Sequence, residues 1–313
     1  METFGRATAR GGGDATSTTS GGAALASEPA GLGAAAPAGD RPDPRELLEI
    51  AEDVAAEAAA LAVRFRAKGI RDIDTKSTAT DLVTAADRAV ERLIAERLYE
   101  HRPYDEILGE EYGAASREDG RSETPRSAVR WVVDPIDGTV NYVYGLPQYA
   151  VSLAAQIDGV TVVGVVRNAA SGEQWSAVRG RGAWRDGSRL TGSPETELGQ
   201  SLIATGFGYA ADRREHQAQV LARVLPAVRD IRRFGAASLD LCFAAEGLVD
   251  AYFEKGLNLW DHAAGGLVAA EAGLIVSGLR GAPPGPDMVV AAPPALYPAL
   301  HDLLVELDAD GGP

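Results

Sequence analysis

The stretch from Val129 to Gly145, VRWVVDPIDGTVNYVYG, constrains this chain more than any other. Its first five residues, Val129-Arg130-Trp131-Val132-Val133, are β-branched and aromatic and bounded by turn residues, the pattern of a buried strand. At the end of that strand two carboxylates, Asp134 and Asp137, flank Pro135 and Ile136, and Gly138-Thr139 follow where a tight turn can open into a short helix. Two carboxylates ~4 Å apart at an effective dielectric of ~20 repel by roughly 4 kcal/mol. A cation has to sit there, or one carboxyl has to stay protonated. Oxygen donors with no Cys or His close by point to Mg²⁺ rather than zinc. The backbone N–H groups of Gly138 and Thr139, at a helix start, would face an anion such as a phosphate. Taken singly, Asp-Pro and Asp-Gly are also ordinary turn dipeptides.

A chain of 313 residues, 45% hydrophobic, can bury one large core or two intimately packed halves. Its net charge of −15 disfavours a nucleic-acid partner, because phosphate backbones need clustered Lys and Arg. The one cysteine, Cys242, excludes an intrachain disulfide and falls in an apolar helical pattern, so it is expected in the core. No run reaches the ~18 apolar residues of a membrane span, and the N-terminus lacks the apolar core of a signal peptide. The expectation is a cytoplasmic protein with no membrane partner. Residues 1–40 are rich in Gly, Ala, Ser and Thr without apolar periodicity and are expected to form a disordered extension.

Beyond it, Asp43 is a plausible N-cap with Pro44 at the first helical position, and Leu47, Leu48, Ala51, Val54, Ala58, Leu61 and Phe65 recur at helical spacing until Gly69. Thr84 and Asp87 stand in capping-box spacing ahead of a helix that stops before Pro103. A cap is one explanation of Asp87, and its second carboxylate oxygen could still serve a neighbouring site. Glu110 and Glu111, after Ile107-Leu108-Gly109, read alone as solvated charges; just before the Asp134 strand, they could instead supply a ligand from a second strand end. Residues 114–127 look like an exposed charged loop. Strands over 149–157 and 160–167, joined at Asp158-Gly159, begin an antiparallel meander. Later come a strand at 201–206, a helix over 213–225, a helix opened by the small residues of Gly235-Ala236-Ala237-Ser238 and ending at Gly247, and a strand delivering Glu254. Small residues at a helix N-terminus permit close approach by a ligand. A helix running from Asp261 to Glu271, a strand over 288–292 and a helix over 294–307 complete the chain, with Asp261 readable simply as an N-cap.

Four acids, Glu110, Asp134, Asp137 and Asp261, thus fall at strand ends or helix starts. GEE at 109–111, DPIDGTVN at 134–141 and WDHAAGGLVAAEAG at 260–273, with the softer KSTATDLVTAAD at 76–87 and RRFGAASLDLC at 232–242, resemble the inositol monophosphatase family. The resemblance covers the chain from about residue 45 onward. It implies a layered α-β-α-β-α sandwich of the inositol monophosphatase and fructose-1,6-bisphosphatase type, with a catalytic domain over 41–313 in halves of about 41–195 and 196–313. It also implies a Mg²⁺-dependent phosphomonoesterase with two to three ions per site, lithium sensitivity and a homodimer.

Carried over residue by residue, the resemblance implies one metal held by Glu110, Asp134 and the Ile136 carbonyl, a second by Asp134, Asp137 and Asp261, and a weaker third involving Glu110. Asp87 and Thr139 match the positions that orient and deprotonate the attacking water. Gly138 and Thr139, beside Ile136 and Asp137, match the phosphate cradle. Ala237, Glu254 and Asp261, with Gly235 and Ala236 alongside, match contacts to polyol hydroxyls, and Lys76 matches a basic residue bordering the metals. His262 reads as a histidine behind the site or on the helix surface, with proton donation the lesser alternative.

Some residues depart from the family pattern. Ala236 stands for a hydroxyl residue, Ser238 for an Ala, Leu274 for a Gly and Tyr142 for a Phe; the changes at 236 and 238 border the expected polyol pocket and are expected to leave the metal ligands untouched. The expected substrate is a small phosphorylated polyol, myo-inositol 1-phosphate first, then histidinol phosphate, with fructose 1,6-bisphosphate and a 3′-phosphonucleotide behind. The rival from another class is a protein that keeps the fold to associate with the transcription machinery.

Overall fold

The computed structural model describes residues 42–69, 74–75, 82–115 and 127–313. The expectations for residues 1–40, for Lys76 and for most of the 114–127 loop lie outside the described residues. Helix α1 (Pro44–Ala67) starts as its sequence dictates, with the Asp43 carboxylate accepting from the Arg45 N–H at 3.0 Å and Pro44 in the first turn. Gly69 follows it with φ of 84°, in the left-handed region. A two-residue ladder, β1 (Asp74–Thr75) with β2 (Leu82–Val83), leads into α2 (Ala85–His101), which opens on the Thr84–Asp87 capping box.

Strands β3 (Glu106–Gly109), β4 (Gly113–Ala115) and β5 (Val129–Asp137) are followed by the short α3 (Thr139–Tyr144). The meander β6 (Ala150–Ile157), β7 (Val160–Asn168), β8 (Gln174–Val178), β9 (Gly182–Arg185) and β10 (Ser188–Arg189) completes an eight-stranded sheet of order β10-β9-β8-β7-β6-β5-β3-β4. Within it β3 and β5 run parallel while the other pairs are antiparallel. The rest of the chain supplies β11 (Leu202–Thr205), α4 (Ala211–Val224), β12 (Asp230–Arg232), α5 (Ala237–Glu246), β13 (Ala251–Glu254), α6 (Leu259–Glu271), β14 (Ile275–Ser277), β15 (Val289–Ala292) and α7 (Tyr297–Glu306). Their sheet has the order β12-β11-β13-β15-β14. The edge strands β12 and β14, three residues each, carry too little pattern to be anticipated. Helix α7 begins later than expected, because Pro293 first closes a turn whose carbonyl takes the N–H groups of Leu296 and Tyr297.

The two-residue period of the strands sorts the core into layers. Trp131, Val133, Val151 and Leu153 point from the larger sheet into a cluster with Leu47, Val54 and Ala58 of α1 and Val90 and Ile94 of α2. Their neighbours Val132, Ala150 and Ala154 face the other way, onto Leu239 and Leu241 of α5 and Leu267 and Val268 of α6. Tyr252, Val289 and Ala291 of the smaller sheet close that middle cluster from its far side. Ala251, Phe253, Val290 and Ala292 point outward again, onto Val220 and Val224 of α4 and Leu300 and Leu304 of α7. The order is therefore helix, sheet, helix, sheet, helix. Cys242 is buried in the middle layer. No helix among the described residues is long and apolar enough to cross a membrane.

Two glycines set the thickness of the middle layer. A Cβ on Gly164 of β7 would lie 2.7 Å from the Ala264 carbonyl oxygen of α6, and one on Gly265 would lie 2.8 Å from the Ser238 carbonyl oxygen of α5. Helix α6 is thus seated backbone-close on both flanks. Gly164→Ala is expected to destabilise the protein by about 1–3 kcal/mol, the usual cost of overpacking. Urea denaturation measures it, and a loss under about 0.5 kcal/mol would show that this contact does not set the layer spacing.

Candidate active site

Strand β5 does not stop at Val133 as its apolar run suggests. It continues to Asp137 through an irregularity in its pairing with β6: Asp134 still pairs with Ser152, and Asp137 pairs with Ala150. Such a bulge re-aims side chains at the end of a strand. Here it turns both aspartates onto one cleft, where Asp134 is 1% exposed and Asp137 8%. The Asp134 carboxylate also accepts from the Ile136 N–H at 3.0 Å, which fixes the Pro135-Ile136 turn. Gly138 then takes φ of 86°, and a Cβ there would lie 2.8 Å from the Gln148 carbonyl oxygen. Only glycine suits that position.

The chain reaches the cleft from several other elements. Glu110 follows β3, which lies parallel to β5, and its N–H donates to the Val133 carbonyl at 3.2 Å. Asp261 enters on the first turn of α6. That helix begins earlier than the sequence suggests, with Asn258 as its N-cap, so Asp261 is not the cap but the capping-box acid, accepting from the Asn258 N–H at 2.6 Å. Glu254 ends β13 and accepts from the Tyr252 hydroxyl at 2.8 Å. Glu110, Asp134, Asp137, Glu254 and Asp261 line a cleft of about 540 Å³ together with Ile136, Gly138, Thr139, Gly235 and Ala237.

Asp87 fills both of the roles open to it. One carboxylate oxygen accepts from the N–H and hydroxyl of Thr84 at 2.8 and 2.5 Å, completing the capping box. The other lies 3.2 Å from the hydroxyl of Thr139, itself 3.1 Å from the Ile136 carbonyl oxygen. Asp87 is fully buried.

The electrostatics follow from burial. Desolvation first, then the charges of Glu110, Asp137 and Asp261, hold the Asp134 carboxyl well above the usual carboxylate range. Burial and the charges of Glu110 and Asp137 do the same to Asp261. Burial raises Asp137 to about 6 against the hydrogen bonds it accepts from Ser238, and Glu254 to about 7 against its bond from Tyr252 and the nearby Arg233. Among the described residues no three His, Cys, Asp or Glu side chains are gathered tightly enough to hold a metal ion as they stand. Burial and the neighbouring Glu110 charge favour the protonated form of Asp134 instead. Convergent carboxylates and the Ile136 carbonyl form an all-oxygen donor set, which fits a hard divalent cation in place of that proton.

Three expectations need correction. The N-terminus of α5, read as a place for a ligand to approach, is occupied by Asp137: its oxygens accept from the N–H groups of Ala237 at 3.3 Å and Ser238 at 2.8 Å, and from the Ser238 hydroxyl at 2.5 Å. Ser238 is thus in contact with a candidate metal ligand, while the acids themselves are all present as expected. Ala236 is buried and, unlike Gly235 and Ala237, is not part of the cleft wall. His262 is 7% exposed, so it is no surface histidine, and burial depresses it to about 4, which leaves the ring neutral near pH 7 and unsuited to donating a proton. Sequence reasoning also missed Arg213 and Arg233, which bring positive charge to the cleft wall, and Lys255, which lines it while its ammonium donates to the carbonyls of Asp310, Gly311 and Gly312. Arg233 lay in a quoted motif, but Arg213 stands on α4 with nothing local to mark it.

The fold agrees with the comparisons to known proteins. The pattern described as the inositol monophosphatase family matches residues 43–309. The inositol-1-monophosphatase SuhB of Mycobacterium tuberculosis is 46% identical over 270 residues, 81% of this chain and 92% of that protein. The Nus factor SuhB of Escherichia coli K12 is 40% identical over 202 residues, 64% of this chain and 73% of that protein. Among solved structures, Mycobacterium tuberculosis SuhB superposes with a TM-score of 0.72 at 43% identity, covering 86% of this chain and 99% of its own. An inositol monophosphatase of Thermotoga maritima gives 0.75 at 26% identity, covering 85% and 100%. The chain belongs to the inositol monophosphatase family.

Proposed function

We propose that this protein is a Mg²⁺-dependent phosphomonoesterase that hydrolyses a small phosphorylated polyol, myo-inositol 1-phosphate first. The observation that carries the reading is one cleft lined by Glu110, Asp134, Asp137 and Asp261, with the Asp87–Thr139 pair against the Ile136 carbonyl at its edge. In this reading Glu110, Asp134 and the Ile136 carbonyl hold one cation, Asp134, Asp137 and Asp261 a second, and Glu110 helps with a weaker third. Bound there, Mg²⁺ supplies a lowered pKa for water and charge neutralisation for the phosphoryl group. Thr139 orients the attacking water through its hydroxyl and passes a proton to Asp87, which Thr84 holds in place. The N–H groups of Gly138 and Thr139 bind phosphate oxygens. Glu254, with Gly235 and Ala237 of the cleft wall, takes polyol hydroxyls. No nucleophilic Ser, Cys or His is needed, because phosphoryl transfer asks mainly for positioning and charge.

Histidinol phosphate is the second substrate, since Glu254 suits an ammonium group as well as a hydroxyl, ahead of fructose 1,6-bisphosphate and a 3′-phosphonucleotide. A cytoplasmic homodimer inhibited by lithium belongs to the same reading. Association with the transcription machinery is the alternative that the relatives named Nus factor favour; the full set of acids in one cleft supports catalysis.

Assaying the four substrates at millimolar Mg²⁺, with and without lithium, is expected to give the highest kcat/KM for myo-inositol 1-phosphate and inhibition by the added lithium. Asp134→Asn is expected to lower the rate by several orders of magnitude. A rate within a few-fold of wild type would sink the proposed mechanism. The buried acids predict a pH effect. Asp137 at about 6 and Glu254 at about 7 lie above the ordinary 3.8 and 4.5, so between those values the folded protein keeps protons that the unfolded chain has released. Metal-free stability therefore falls as pH rises through this window, by roughly 1.4 kcal/mol per group and pH unit at most. Denaturant titrations at pH 5 and pH 8 should show a drop of a few kcal/mol that millimolar Mg²⁺ largely reverses; a flat metal-free profile would contradict the clustering of these acids.

A further inference from the structure

Strand β3 ends at Gly109, and the chain turns through Glu110 and Glu111 before β4 begins at Gly113. Behind this turn lies Glu91, a carboxylate only 3% exposed. Its two oxygens accept from consecutive backbone N–H groups, Glu111 at 2.8 Å and Tyr112 at 3.1 Å. The end of β3 is shaped around it: a Cβ on Gly109 would fall 1.9 Å from a Glu91 carboxylate oxygen. Glu91 stands one helical turn beyond Asp87 on the same face of α2.

Burying a carboxylate is costly, and an apolar side chain would join α2 to β3 at less expense. What a carboxylate adds is direction, since a two-pronged acceptor fixes both the position and the tilt of the peptide units it holds. We infer that Glu91 is a positioning residue that clamps the turn at 110–112 and so aims the Glu110 carboxylate at Asp134. One face of α2 then serves both halves of the cleft, with Asp87 reaching Thr139 and Glu91 setting Glu110. The inference rests on the reading of Glu110 as a metal ligand.

The test follows the thermal midpoint of the full-length protein as Mg²⁺ is added, a readout of metal binding independent of turnover, together with KM and kcat. Glu91→Ala is expected to raise the Mg²⁺ concentration for half-maximal stabilisation by roughly 10–100-fold, as loss of a ligand's supporting partner typically does, with KM for substrate nearly unchanged. Glu91→Gln, whose amide oxygen can keep one of the two bonds, should fall between, and it keeps the test usable if the alanine variant does not fold. Gly109→Ala should reproduce the defect by displacing Glu91 and add nothing in a Glu91→Ala background, the signature of a shared contact. If both Glu91 variants keep a Mg²⁺ response within about twofold of wild type while Glu110→Gln loses it, the positioning role is overturned. If Glu110→Gln itself responds like wild type, Glu110 is no ligand and both the reading and this inference fall.

Discussion

The bond between Asp137 and the first turn of α5 is the contact on which the rest of the arrangement depends. Asp137 belongs to the larger sheet, and α5 lies in the middle layer that also packs on the smaller one. A helix start is short of acceptors and carries partial positive charge, so a carboxylate is a fitting partner for it. By accepting from Ala237 and Ser238, Asp137 fixes the depth at which the DPIDGT turn meets the middle helices. The positions of Gly138, Gly235 and Ala237 along the cleft wall follow from that depth.

The same bond makes tolerable an otherwise poor arrangement. Several carboxylates share one partly dehydrated cleft, and each discourages the others from ionising. Natural proteins accept such local instability where a site demands it and recover the loss elsewhere in the core. Here the recovery is visible in the three apolar clusters of the described residues and in caps that use the acids themselves: Asp261 closes a helix start while lining the cleft, and Asp87 closes another while reaching Thr139.

How much of this was readable from the residues depended on the range of the interaction. The β5 strand, its acid pair and the glycine after them were legible because their constraints are local. Asp87 was legible as a cap from spacing alone, and its second role could be stated only as an option, because Thr139 lies 52 positions away. Asp261 was placed at the right helix end but in the wrong cap position, since Asn258 outcompetes it only once the chain turn is known. The significance of Ser238, Arg213 and Glu91 was not legible, because each depends on a partner brought near by layer stacking rather than by sequence. The bulge in β5 was missed for a related reason: it exists to match a neighbouring strand.

Gly164 of β7 and Gly265 of α6 itself let the helix whose first turn carries Asp261 sit backbone-close to its neighbours on two sides. A rod wedged between two backbones cannot sink or rise without moving what is mounted at its tip. The separation between Asp261 and the β5 acids is therefore an adjustable length, governed by side-chain volume in the buried seam between α6 and its neighbours. A change of volume in that buried seam would shift how closely Asp261 approaches Asp134 and Asp137 while every acid of the cleft stayed the same.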